Sequence, residues 1–290
     1  MPARECEAFV LRTYPYRETD LIVSFVARDR GKLRGIANRA RRPKNRFGSG
    51  LERLSHVQLS YFQRQNRDLV RVDSCELIGP PIFLRADYAT SVALDYVAEI
   101  CDRLLPEHEP NDKFFRLVAL VLEQIWSKLD SRRTTGAESA GSAEGGKALS
   151  ANGSLSASPS PAGNGGQEAT QGWLWLVVTY FSLWAVKLGG WMPPLNVCIQ
   201  SGAELGPRET AYFERSQPGL FSAEFRTSDC WAMSPESRAM ANQMMKTSLR
   251  DMDPDPWGKQ TAEDLRRFLT QRLESQLEAR LKTVEALGEL

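Results

Sequence analysis

The hydrophobic pattern of this chain changes period once, at Pro80-Pro81. Before that point apolar residues alternate with polar ones in short runs, the period of a half-buried strand. After it they recur at steps of three and four, the period of a helix with one buried face. Two periods on either side of a proline pair define two units, a β unit over residues 1–80 and a helical unit beyond it. The length agrees: 290 residues fit two domains, or one large domain with an insertion, at ~150 residues per domain. The fold class read from this pattern is α+β.

Five strands are expected in the first unit: Ala8–Leu11, Leu21–Val26, Leu33–Ala37, Val57–Phe62 and one beginning at Leu69-Val70-Arg71-Val72. Asp29-Arg30-Gly31-Lys32 is a polar turn, and Pro43, Gly48 and Gly50 break the loop from Asn38 to Gly50. Five short strands suit a small barrel of the OB type, and an SH3-like barrel fits the same pattern.

Beyond the prolines, Ala86–Leu105 and Phe114–Leu129 carry helical stripes, with Asp112 a candidate N-cap for the second. The domain therefore begins at 81–133 and resumes at 172–290. Between them, 25 of the 38 residues at 134–171 are Gly, Ala, Ser or Pro, a composition expected to be disordered. Leu174–Leu188 reads as an apolar helix stopped by Gly189-Gly190. Cys198–Met233 reads as loop, and Ser237–Leu249 and Asp264–Leu287 as closing helices.

The net charge is only +1, but it is unevenly spread. Residues 1–80 hold 16 basic and 9 acidic side chains, and the remainder carries −6. Ten basic residues lie between Arg28 and Arg53, opposed only by Asp29 and Glu52. Such a field attracts phosphates and releases counterions on binding. The competing reading is an Arg-rich solvated loop. Interruption of a β pattern, rather than a tail position, favours nucleic-acid binding. Arg34, Arg39, Arg41, Arg42, Lys44 and Arg46 are the candidate phosphate contacts, with Lys32 and Arg12 secondary to them. Tyr14, Tyr16, Phe47, Tyr61 and Phe62 are candidates for base stacking, although most aromatics of a small barrel belong to its core.

Catalytic signals are weak. The only histidines, His56 and His108, have no motif neighbours. Gly141–Lys147 matches G-x4-G-K, but Ala148 stands where a phosphate loop needs Ser or Thr, and no strand precedes it. Asp251-Met252-Asp253-Pro254-Asp255 could chelate a hard cation, as in a metal-dependent nuclease, but its prolines make it a turn. Five widely spaced cysteines read as thiols of a reducing cytosol, and the charged N-terminus lacks a signal-peptide core. The longest apolar run, Trp173–Val186, is 14 residues, shorter than a membrane span of ~20.

With barrel, basic loop and helices placed, the chain resembles the RecO family of recombination mediators. Glu7–Thr13, Tyr16–Val23, Arg30-Gly31-Lys32 and Ala40–Gly48 carry the resemblance, with local support at Asp87-Tyr88. It implies a cytoplasmic, nucleoid-associated, non-enzymatic DNA-repair protein without a cofactor. Such a protein binds single- and double-stranded DNA and anneals complementary strands. It acts with RecR to load RecA onto strands coated by single-strand-binding protein, whose acidic-hydrophobic tail docks in the helical domain. The alternative is an OB-fold scaffold that binds protein rather than DNA. Many members of the family carry a four-cysteine zinc module. Residues 196–234 resemble it in degenerate form, with Cys198 and Ser201 as one pair and Cys230 and Met233 ending the other. Bound zinc is not expected.

Overall fold

The computed structural model describes residues 3–63, 68–141 and 165–290. Strands β1 (Arg4–Tyr16), β2 (Asp20–Ala27), β3 (Gly31–Ala37), β4 (His56–Phe62) and β5 (Leu69–Leu77) close into a barrel in the order β1-β2-β3-β5-β4, and β1 pairs back onto β4. β3 and β5 run parallel, and the other neighbours antiparallel. This is the OB arrangement. Bulges at Leu11 in β1 and at Asp73 in β5, opposite Ser60-Tyr61 of β4, supply the bends that a five-strand closure requires. Inward residues Val10, Val23, Phe25, Leu33, Val57, Leu59, Val70 and Val72 fill the barrel. β1 is far longer than its apolar run because Arg4–Phe9 pairs with β4 and Arg12–Tyr16 with β2. Ladder hydrogen bonds do not require apolar side chains on the outer face.

The helical unit is built from α1 (Tyr88–Leu104), α2 (Asp112–Gly141), α3 (Gly165–Leu188), α4 (Pro235–Met244), α5 (Glu263–Leu277) and α6 (Thr283–Gly288). Asp87 caps α1, accepting the Thr90 amide at 2.8 Å. The expected cap of α2 is corrected: Asn111, not Asp112, accepts the Phe114 amide at 3.0 Å. Asp112 lies inside the first turn and pairs with Arg28 and Arg116. Within the expected insertion at 134–171, α2 continues to Gly141 and α3 starts at Gly165. The centre of the insertion, including all but the first residue of the G-x4-G-K match, lies outside the described residues.

The single closing helix expected over Asp264–Leu287 is two. Glu278 adopts φ 50° and ends α5. The turn that follows is held by Glu99 of α1. This carboxylate is 2% exposed and accepts the Lys282 and Thr283 amides and the Thr283 hydroxyl. Between α3 and α4, β6 (Ala211–Phe213) and β7 (Trp231–Met233) form a small sheet. Buried Arg238 pins this region through the carbonyls of Leu195, Gly206 and Glu209. No helix among the described residues is long and apolar enough to cross a membrane.

Barrel and helices share one core. Phe9, Leu11, Val26 and Leu54, on the outside of the barrel, pack into the helical cluster. Phe9 lies between His56 and Phe115, at ring distances of 4.5 and 4.7 Å. A polar junction lies beside this contact. Asp102 of α1 accepts Ser24 Oγ at 2.6 Å and Tyr14 Oη at 3.3 Å, and its backbone carbonyl accepts Lys32 Nζ at 2.6 Å. The α1–α2 loop presses on β3 so closely that a Cβ at Gly31, which has φ +71°, would meet the Glu109 carbonyl oxygen at 2.1 Å.

Candidate nucleic-acid interface

The ten basic residues from Arg28 to Arg53 divide into three groups. Arg28, Arg30, Arg34, Arg46 and Arg53 stand in ion pairs, Arg34 with Glu107 at 3.0 Å, Arg46 with Asp73 at 3.1 Å and Arg53 with Asp95. Lys32 is 6% exposed, and burial depresses its pKa despite nearby Asp102 and Glu107. Its ammonium faces α1 rather than solvent, so the expectation that it contacts phosphate is corrected: it is a fastening of barrel to body. The third group is Arg39, Arg41, Arg42 and Lys44. All four are exposed, and among the described residues none of their side chains has a carboxylate within ion-pair distance.

The loop that carries this third group is ordered by the strands it joins. Asp20, at the start of β2, accepts the Arg39 amide at 2.8 Å, with Arg39 at φ 58°. The Arg41 amide binds the Thr19 carbonyl at 3.0 Å. Phe47 is buried in the barrel core and anchors the far side of the loop. The result is a cleft of about 720 Å³ between Arg39, Arg42, Lys44 and Arg46 on one side and Thr19 and Asp20 on the other. Cationic side chains held over a polar floor can bind phosphate oxygens without base selection. Arg12 is exposed on the barrel surface, 5.9 Å from the Tyr14 ring.

Of the candidate aromatics, Phe47 and Tyr61 are interior residues, 2% and 1% exposed. Tyr14 is exposed, and Tyr16 and Phe62 are half-buried. Sequence reading missed Asp20 as the organiser of the basic loop, Asp102 as the junction, and Arg71, which lies 4.8 Å over the Phe62 ring. Only Arg71 left a visible signal, the polar position of an alternating strand.

The other candidate chemistry changes on inspection. His56 bonds Glu7 at 2.8 Å at the barrel–helix contact. The amide of His108 bonds the Lys32 carbonyl at 3.0 Å. The Asp251–Asp255 run is a turn in which Asp253 accepts the Asp255 amide at 3.0 Å. No cluster of three His, Cys, Asp or Glu suited to a metal occurs among the described residues. In the zinc-module outline, Cys198 keeps a knuckle conformation, with the Gly202 amide on its carbonyl at 2.8 Å. Its neighbour across the knuckle is Ser222, whose amide lies 3.5 Å from the thiol sulfur. Cys230 instead directs its thiol to the Thr227 carbonyl at 3.1 Å, and Met233 is part of β7. Ser222 thus faces the Cys198 thiol, while Cys230 turns toward its own loop. Burial pushes the Cys198 thiol up, but donors from Ser201, Ser222 and Gln200 outweigh it and bring it from 9.0 to about 7.

A second cleft, of about 880 Å³, lies between α3, α5 and α6. Trp175, Val178, Leu281 and Leu287 form its apolar surface, and Lys259, Arg267 and Lys282 line its rim. Arg266 stacks over Trp175 at 4.6 Å, its pKa lowered by burial to about 10. Gln271 is 5% exposed and lines the cleft, and among the described residues no donor bonds its Oε1.

Comparison with known proteins agrees with this arrangement. The family described as "Recombination protein O N terminal" matches residues 1–81, and "Recombination protein O C terminal" matches 85–134 and 168–285. The break between the last two segments falls in the Gly/Ala/Ser-rich stretch. The chain is 36% identical over 287 residues to the DNA repair protein RecO of Koribacter versatilis, covering 99% of each. It is 27% identical over 212 residues to that of Anaeromyxobacter sp. Fw109-5, covering 73% of this chain and 66% of the relative. A barrel and a helical body, each matched by its own family description and together by a relative of nearly the same length, establish that the chain belongs to the RecO family of DNA repair proteins.

Proposed function

We propose that this chain is a non-enzymatic, cytoplasmic recombination mediator. It binds single- and double-stranded DNA through the barrel, anneals complementary strands, and works with RecR to load RecA on strands coated by single-strand-binding protein. The observation that carries this reading is the unneutralised group Arg39, Arg41, Arg42 and Lys44 on a chain whose net charge is only +1. Cations without a carboxylate partner among the described residues are free to replace counterions on DNA, and neutralising two strands lowers their mutual repulsion. Contacts of this kind are sequence-tolerant and weaken steeply with salt.

The helical cleft supports the partner reading. Six basic residues line it against Glu263, Glu274 and Glu285, over an apolar floor, which suits the acidic-hydrophobic tail of single-strand-binding protein. The test is an annealing assay on complementary strands coated with that protein, with magnesium present. Accelerated annealing without cleavage is expected, and the triple change Arg41→Ala, Arg42→Ala and Lys44→Ala should abolish most of it. Cleavage of the strands, or binding that does not respond to salt, would remove the assignment.

A further inference from the structure

The register of the barrel brings five side chains, one from each strand, into a single row on its outer surface. Tyr14 of β1 pairs with Ile22 of β2, Ile22 with Ile36 of β3, Ile36 with Arg71 of β5, and Arg71 with Phe62 of β4. Directly opposed residues share a face of the sheet. This is the outer face, since Tyr14 and Arg71 are exposed and Ile22, Ile36 and Phe62 half-buried. Tyr16 lies two residues beyond Tyr14 and so extends the same face.

Each of the three aromatics carries a guanidinium near its ring: Arg12 at 5.9 Å from Tyr14, Arg17 at 5.2 Å from Tyr16 and Arg71 at 4.8 Å from Phe62. The row borders the basic cleft. Tyr16 pairs with Asp20, and Asn38 follows two residues after Ile36; Asp20 and Asn38 both line that cleft. At a strand spacing of ~4.8 Å, the row from Tyr14 to Phe62 runs roughly 19 Å round the barrel. The hydroxyl of Tyr14 is tied to Asp102, so this ring is held in place before any ligand arrives.

We propose that the bases of a single DNA strand stack on Tyr14, Tyr16 and Phe62, crossing Ile22 and Ile36, while the phosphates lie along Arg39, Arg42 and Lys44. The proposal rests on the DNA-binding reading above and adds to it the means of telling one strand from two. An aromatic ring can accept a base only when that base is unstacked from its own helix, whereas a duplex presents phosphates alone. Every base has a π face, so the contact is sequence-tolerant. It also leaves the pairing edge of each base free, so a strand held here remains competent to find its complement.

The test uses the full chain with single-stranded and duplex oligonucleotides of equal length, titrated by fluorescence anisotropy at several salt concentrations. Tyr16→Leu and Phe62→Leu should each weaken single-strand binding about tenfold or more, with duplex binding and the salt slope unchanged. Tyr16→Phe and Phe62→Tyr should keep wild-type affinity. Equal losses on both DNA forms, or no loss on single strands, would overturn the stacking assignment while leaving the DNA-binding reading intact. Wild-type protein without salt-dependent DNA affinity would overturn both. As a measurement independent of variant folding, wild-type protein irradiated with a strand containing 5-iodouracil should cross-link through the peptides bearing Tyr14, Tyr16 or Phe62. Cross-links confined to other peptides count against the proposal.

Discussion

Arg42 and Lys44 differ from Arg34 and Arg46 in what already neutralises them. The latter pair must exchange Glu107 and Asp73 for a phosphate, and so release less on binding. Arg42→Ala and Lys44→Ala should therefore each reduce the slope of log affinity against log salt by about one, and Arg34→Ala by less. Equal slopes for all three variants would contradict this ranking. The ranking was not legible in the sequence, because Glu107, Asp73 and Asp95 are remote in the chain from the arginines they oppose. Lys32 illustrates the same limit. As a basic residue beside a Gly turn it reads as surface, but its neighbours along β3 do not reveal that α1 covers it. Lys32→Met should cost about 1–3 kcal/mol of stability, because it leaves the Asp102 carbonyl without its donor, and the folded fraction should bind DNA normally. Reduced affinity at unchanged melting temperature would return Lys32 to the interface.

Strands and helices were the most legible level, since alternation and the three-four step each follow from side-chain direction. Errors arose where a tertiary partner decided an end. Leu277, Leu281 and Val284 continue the apolar stripe of α5 across Glu278, so the break is invisible in the pattern. Glu99 is what makes it, by giving the amides of Lys282 and Thr283 a partner outside any helix. Burial raises the Glu99 pKa, but these donors and Arg103 outweigh it and hold the carboxyl below its ordinary 4.5. Its contribution is thus fully present above about 4.5 and lost as pH falls through the lower folded value. Chemical denaturation across pH should find wild type more stable than Glu99→Gln at neutral pH, with the gap closing in acid. Cys198 should behave likewise in a higher window. Its thiol is lowered from 9.0 to about 7, so the stability gap between wild type and Cys198→Ala should widen as pH rises from 7 to 9. A gap flat across that range would show that the knuckle donors do not favour the thiolate. The contact between Cys198 and Ser222 was not legible in the sequence, because it depends on how the bridge between Tyr212 and Phe221 folds the chain back.

At the scale of the whole molecule, the boundary at Pro80-Pro81 is a boundary of pattern rather than of packing. Phe9, Leu11, Val26 and Leu54 lie before it and belong to the helical core. The alternation that revealed the strands could not say that the outer face of the barrel is covered, since partly apolar outer faces are common in small barrels. A chain cut after residue 81 should therefore expose these four side chains and melt well below the intact protein, or aggregate. An excised barrel as soluble and heat-stable as the parent would show that the shared core is dispensable. The last turn of α1 has a further consequence. Asp102 faces the barrel through Tyr14, Ser24 and Lys32, and Glu99, three residues earlier, holds the start of α6, which lines the helical cleft. One rigid rod thus touches both ends of the molecule, and thermodynamic linkage makes any traffic along it two-way. The factor by which a bound peptide alters the hold on a strand must equal the factor by which the strand alters the hold on the peptide.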